Sequence, residues 1–278
     1  VDGGDYLSVS MTSDGDSTFT GVVPLSGGST IYYYITATDD GADQAEPKTS
    51  IYPYDIDHDQ LGFHVTDDLT VETVQETPWP SGNSLYEGCT VTLTGVVTAD
   101  TAQYASSYSS YALQDGDGQW DGLIFDLPVD ATEPVIMTRG DEVTVTGLIT
   151  DNDPDWTFKF GGNTRLINAS VEVGSAVGEP TPAVVSCEDV HQIADEVESY
   201  EGVLVQLNNV TVSAVNDFDW AITDETGFEA LIDDDMANMA ADNMMSLLSE
   251  GDVLDQVMGL FNYSFGTYKI QIRDADDL

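Results

Sequence analysis

The chain has 278 residues, 51 Asp+Glu against six Lys+Arg, a formal net charge of −45 and 41% apolar residues. A surface this one-sided repels phosphate backbones and anionic lipid, whereas nucleic-acid binding depends on Lys and Arg displacing counterions, so generic DNA or RNA binding is excluded. The apolar fraction, with 13 Tyr, nine Phe and four Trp, can build real cores, which excludes a disordered chain, and the length sets a prior of two or three domains.

Other classes fall away on the same reading. No run of about 18 apolar residues is present to span a bilayer, and Val1-Asp2-Gly3-Gly4 lacks the basic start and apolar stretch of a signal peptide. Like charge at this density destabilises a compact state unless cations condense on it. Of the 51 acids 36 are Asp, the shorter and more rigid oxygen ligand, so high salt, bound calcium or both are expected.

In chain order, Leu7–Met11, Phe19–Val23 and Ile31–Thr38 alternate β-branched or aromatic with polar residues between Asp-Gly and Gly-Gly turns, and predict a small antiparallel sandwich. After a linker that includes Pro78-Trp79-Pro80-Ser81-Gly82, the chain repeats itself. Glu87-Gly88-Cys89-Thr90-Val91 returns as Glu201-Gly202-Val203-Leu204-Val205, Tyr111-Ala112-Leu113-Gln114-Asp115 as Trp220-Ala221-Ile222-Thr223-Asp224, and Arg139-Gly140-Asp141 as Glu250-Gly251-Asp252. Near-constant offsets predict two homologous β-domains, each with the plan of a five-stranded Greek-key barrel. Between the third and fourth strands of the second copy, Met236, Met239, Ala240, Met244, Leu247 and Leu248 fall near helical spacing, which predicts one short helix over Asp235–Ser249 with its Met-rich face in the core.

Two resemblances follow from these residues. Ile31-Tyr32-Tyr33-Tyr34-Ile35-Thr36-Ala37-Thr38-Asp39-Asp40-Gly41, followed by Pro47, resembles the late strands of Ig-like or fibronectin-type modules in bacterial secreted proteins, with the first strands short or missing. Such a sandwich has an open edge that can accept a strand from a neighbouring chain. Gly82–Gly88 leading into Val91–Ala99, Leu113–Leu123, Glu198–Val205 and Phe261–Ile270 together resemble the tandem OB-like modules of large secreted bacterial proteins, which often accompany nuclease, lamin-tail or Ig-like domains. Where such relatives continue with a Pro-Arg pair, this chain has Ile272-Arg273-Asp274. The implied fold is all-β: an Ig-like sandwich over 1–66 and two OB-like Greek-key barrels over 67–180 and 181–278, with one short helix in the last barrel.

Calcium is the expected cofactor, in a structural role. Asp55, Asp57 and Asp59 at the first boundary, Asp151, Asp153 and Asp155 in a barrel loop, and Asp115, Asp117 and Asp121 in another set alternate oxygens along extended or turning backbone, as high-coordinate oxygen sites require. None completes an EF-hand loop, and a solvated acidic surface is the competing reading. Cys89 and Cys187 show no CxxC and are expected to form one disulfide, with two buried thiols as the alternative. His58, His64 and His191 are scattered, and no GxSxG, HExxH or Cys/His motif occurs, so no catalytic residue is expected. Trp120, Trp156 and Trp220 are the candidates for a stacking platform, with a neutral glycan the ligand best suited to this field. The expected function is that of a non-catalytic, secreted structural protein of the cell surface or extracellular matrix. Its partners would be copies of itself or other surface proteins, and it would be the subunit of a filament assembled through strand addition and calcium bridges. A carbohydrate- or ligand-binding accessory segment of a larger secreted hydrolase or nuclease is the alternative.

Overall fold

The computed structural model describes residues 7–15, 18–23, 29–39, 47–52, 61–65, 69–77, 82–104, 110–128, 135–151, 162–236 and 248–278. The chain divides into two compact units, Val1–Asp68 and Leu69–Leu278. In the first, β1 (Thr12–Gly15) pairs with β2 (Thr18–Thr20), β3 (Ser29–Tyr33) with β6 (Leu61–Val65), and β4 (Ile35–Thr38) with β5 (Thr49–Tyr52), all antiparallel. These three two-stranded ladders are what the described residues show of the expected sandwich. Where their burial is described, none of these residues is buried, and Leu7, Phe19, Val22 and Tyr52 are well exposed.

The second unit contains both predicted repeats. Its first copy opens on α1 (Val71–Gln75), with Thr70 as N-cap accepting from Thr73 N–H at 3.1 Å, and continues through β7 (Thr90–Ala99), the short α2 (Thr101–Tyr104), β8 (Tyr111–Gln114), β9 (Gly122–Phe125), β10 (Asp141–Thr150) and β11 (Arg165–Ala176). β7 alternates as the sequence predicts, with Val91, Leu93 and Val97 inward and Thr90, Thr92 and Thr94 outward. On the outer face the Thr92–Thr146 and Thr94–Thr144 hydroxyl pairs, at 2.8 and 3.1 Å, match the β7–β10 register. The five strands close in the order β7-β8-β9-β11-β10, with β9 and β11 parallel and the other pairs antiparallel. Val97, Tyr111, Leu113, Phe125, Val145 and Ile149 fill the interior, and Tyr111 stacks on Phe125 at 5.2 Å.

The second copy runs through β12 (Ala183–Val184), a 3-10 turn (Val197–Tyr200), β13 (Leu204–Val215), β14 (Trp220–Thr223), β15 (Glu229–Asp233), β16 (Val253–Ser264) and β17 (Thr267–Gln271). It closes identically as β13-β14-β15-β17-β16, with β15 and β17 parallel and β12 added alongside β13. Closure leaves no long unpaired edge among the described strands of either barrel. Most of the predicted helix, 237–247, lies outside the described residues. Of its flanks, Met236 is buried and Leu248 packs on the second core.

The repeat is visible in its hydrogen bonds. Gly88 and Gly202, both at positive φ, each donate to the fourth strand of their own barrel, Gly88 to Ile149 O and Gly202 to Phe261 O. Gly140 N–H bonds Val97 O and Gly251 N–H bonds Val212 O, both at 2.9 Å. Asp141 caps Thr138 N–H as Asp252 caps Ser249 N–H, both at 2.8 Å. Each copy also sets a cation from its fifth strand on an Asp at or just beyond the end of its third: Arg165 on Asp126, and Lys269 on Asp233.

The two barrels share a small core of their own. Ala99, Ala112 and Ile124 from the first meet Met236 and Leu260 from the second, and burying its three large side chains contributes on the order of 5 kcal/mol. Gly122 and Gly202 touch backbone to backbone across this seam, and a Cβ on either would run into the other's main chain. Glycine is required at both positions for that approach.

Candidate functional site at the seam of the barrels

The seam begins with the repeated Glu-Gly turn. In the first copy Glu87 is exposed and serves its own barrel, accepting from Asp151 N–H at 2.6 Å and from Thr150 Oγ1 at 3.3 Å. In the second copy Glu201 is 3% exposed and reaches into the other barrel, where its Oε1 accepts Thr164 N–H at 2.6 Å. Its Oε2 is buried with no hydrogen-bond partner among the described residues. Thr164 Oγ1 donates to Asp151 Oδ1 at 2.6 Å, and Asp151 also accepts Ser84 N–H at 3.2 Å. One threonine therefore joins two enclosed carboxylates.

Burial drives the electrostatics. Desolvation, then hydrogen bonding to Glu87, raises Asp151 from its ordinary 3.8 to about 7. Glu201 is pushed well above its ordinary range, first by burial and then by the charge of Glu198. Burial also raises Glu198, opposed by the hydroxyl of Tyr268, which donates to its Oε2. Each group thus holds its proton more tightly than an exposed acid does.

Around this row the barrels are stitched together. Gln75 Nε2 donates to Gly122 O at 2.6 Å and to Glu201 O at 3.3 Å, and Gln114 Oε1 accepts Leu204 N–H at 2.9 Å. Asn163 bonds both the carbonyl and the N–H of Tyr263. At the far end Arg273, 0% exposed, binds Asp277 through Nε and Nη2 and gives Nη1 to Thr98 O and to Glu179. Arg139 pairs with Asp274 and Glu179. All four basic residues described in this unit, Arg139, Arg165, Lys269 and Arg273, are held in ion pairs.

A cavity of about 330 Å³ opens at the seam, lined by Thr77, Gly82, Trp120, Asp195, Glu196, Glu198, Ser199 and Tyr268 among others. Trp120 is half-buried and adopts φ 67°, rare for a bulky side chain, with its N–H donated to Ser199 O at 2.6 Å. Gly82, φ 75°, leaves room for the Glu198 carboxylate, which a Cβ would strike. Tyr268 stacks on Phe261 with centroids 5.6 Å apart.

Of the metal and platform residues expected from sequence, the structure describes Asp115, Asp117, Asp121, Asp151, Trp120 and Trp220. Asp55, Asp57, Asp59, Asp153, Asp155 and Trp156 lie outside the described residues. Asp115, Asp117 and Asp121 organise a turn: Asp115 Oδ2 accepts Val71 N–H at 2.7 Å, Asp117 accepts Thr181 N–H at 3.0 Å and Asp121 accepts Gly118 N–H at 2.8 Å. Asp224, the counterpart of Asp115, accepts Cys187 N–H at 2.8 Å, so both copies use this aspartate to fix the segment leading into the barrel. Among the described residues the carboxylates that converge within 4.8 Å are Asp233, Asp234 and Asp235, and Lys269 already sits on Asp233 at 2.8 Å.

Two expectations are corrected. Trp220 is 1% exposed and belongs to the second core, so it forms no surface platform, because β14 turns it inward. Cys89 and Cys187 are free thiols, with Cys187 inside the second core and Cys89 against the first, so the expected disulfide is not formed. No helix among the described residues is long and apolar enough to cross a membrane.

Sequence reasoning missed Glu198, Glu201, Thr164 and Arg273 as seam residues. The signal for Glu201 was present in the repeat, since a Glu kept before the same Gly in both copies marks a structural acceptor. No family model matches the chain, and no curated protein resembles it closely enough to count as a relative.

Proposed function

We propose that the chain is a non-catalytic, secreted structural protein of the cell surface or extracellular matrix, a self-assembling subunit in which calcium and strand addition join copies. The observation that carries this reading is the fusion of two barrels into one compact unit whose four described basic residues are all tied up in ion pairs, leaving an acidic exterior. The strand order, with the third strand parallel to the fifth in each barrel, supports the OB-like Greek-key assignment. Like-charged units pack closely only when counterions lie between them. The two-stranded ladders and exposed apolar side chains described in the first unit support strand addition as the way copies join. Particle size measured by light scattering and electron microscopy tests this. Assemblies that grow in calcium and dissociate in EDTA at low salt are expected, and a monomer indifferent to both would contradict it.

The seam cavity favours a second reading, a ligand-binding accessory segment, because it combines Trp120 and Tyr268 with hydrogen-bonding groups in one concave site. Saturable binding of a small ligand that Trp120→Ala abolishes would support it. No such binding across a panel of sugars and amines would oppose it.

A further inference from the structure

We propose that the seam cavity binds an aliphatic ammonium group, such as a lysine-like side chain or a free alkylamine, with the cation at Glu198 and the carbon chain against Trp120. The proposal extends the ligand-binding reading by naming the ligand, and is independent of the assembly reading.

Four observations converge. The volume of about 330 Å³ suits a chain of several carbons, and the described residues lining it include Asp195, Glu196 and Glu198 but no Lys, Arg or His. Behind Glu198 stands Glu201, 3% exposed, whose Oε2 has no hydrogen-bond partner among the described residues. The acids of the cavity are spread along its wall: among the described residues only Asp233–Asp235 bring three ligand atoms within 4.8 Å, which argues against a chelated metal and for a cation on a carbon stem. Trp120 supplies an aromatic surface of the kind that attracts ammonium groups. The same fold already holds one alkylammonium in this manner, with Lys269 Nζ 2.8 Å from Asp233 and 3.5 Å from Asp219.

The test uses the full chain in 0.5 M NaCl, where the Debye length of roughly 4 Å suppresses attraction to the general acidic field. Nα-acetyl-lysine amide, its neutral norleucine analogue, N-acetylglucosamine and calcium chloride are titrated by calorimetry. Saturable 1:1 binding of the lysine compound is expected, weakened at least tenfold by Trp120→Ala and by Glu198→Gln, in which the amide oxygen still accepts from Tyr268. Norleucine amide should not bind, and Glu250→Gln should change nothing. If either cavity variant fails to fold, amide NMR shifts in the unaltered protein decide, and they should be confined to Gly82, Trp120 and Ser199. Equal binding of norleucine amide, or calcium binding that displaces the lysine compound, would overturn the inference. Binding of N-acetylglucosamine alone would overturn it while leaving the ligand-binding reading standing, and silence from all four would end both.

Discussion

The two barrels carry the same Glu-Gly turn, yet Glu87 lies exposed and bonds its own fourth strand, while Glu201 is enclosed and bonds the neighbouring barrel. Their glycines differ in the same way. Nothing lies within 4 Å of a Cβ built on Gly88, whereas one on Gly202 meets the backbone of Gly122. Duplication supplied one turn twice, and packing turned the second copy into a joint. A motif that caps a strand in isolation becomes a bridge once a partner surface excludes water from it, because buried acceptors must find donors.

The largest break should come at the far end of that joint. Arg273→Met leaves Asp277, itself 0% exposed, without its cation, and removing one partner of a buried pair costs about 3–5 kcal/mol. Denaturant unfolding of this variant should show that loss, whereas Arg139→Met, at a half-buried pair, should lose about 1 kcal/mol or less. Next, Gly202→Ala combines positive φ with a backbone collision and should cost about 3 kcal/mol. Gly88→Ala keeps only the φ penalty of about 1 kcal/mol. Equal costs for the two glycines would erase the distinction between the copies.

Protonation sharpens the comparison further. Asp151 is held at about 7 when folded against 3.8 ordinarily, so the stability its proton confers is complete below pH 4 and is lost as pH rises to about 7. Glu201 and Glu198 shift in the same direction, and lower pH also relieves the net charge, so the double barrel should melt higher at pH 5 than at pH 8. Asp151→Asn isolates the local part. Its amide oxygen still accepts from Ser84 and Thr164, its NH2 can donate to Glu87, and it should gain about 2 kcal/mol over the parent at pH 8 and nothing at pH 4. A melting curve with the same pH slope in both proteins would contradict this. The smallest effect is chemical. Burial pushes the Cys187 thiol up to about 12, so alkylation of the native protein should reach half-buried Cys89 first and Cys187 only on unfolding.

How far the sequence reached can be traced residue by residue. Alternation in Thr90–Ala99 and the three repeated motifs predicted two like barrels, because period-2 burial and Gly turns are local properties. Of the sandwich expected from Leu7–Met11, Phe19–Val23 and Ile31–Thr38, the described residues contain three antiparallel ladders. The candidate site was less legible. Asp115-Gly116-Asp117 reads like an oxygen-ligand loop, but Asp-Gly turns also use such carboxylates to bind backbone N–H groups, as these do. Trp220 follows the same rule as every inward strand residue, and a single sequence does not reveal which face of β14 is inside. Glu201 and Thr164 are far apart in the chain, as are Arg273 and Thr98, and each pair meets only through the way one barrel sits on the other.

The claim on which the rest depends is that the barrels behave as one body locked at the Glu201–Thr164 seam. Native-state hydrogen exchange of the full chain measures it directly at the amides of Thr164, Leu204 and Tyr263, which bond across the seam. They should exchange with the same free energy as core amides such as Leu113 and Ile222. Exchange faster by several orders of magnitude, with the core amides still protected, would show two barrels that open independently and would contradict the account.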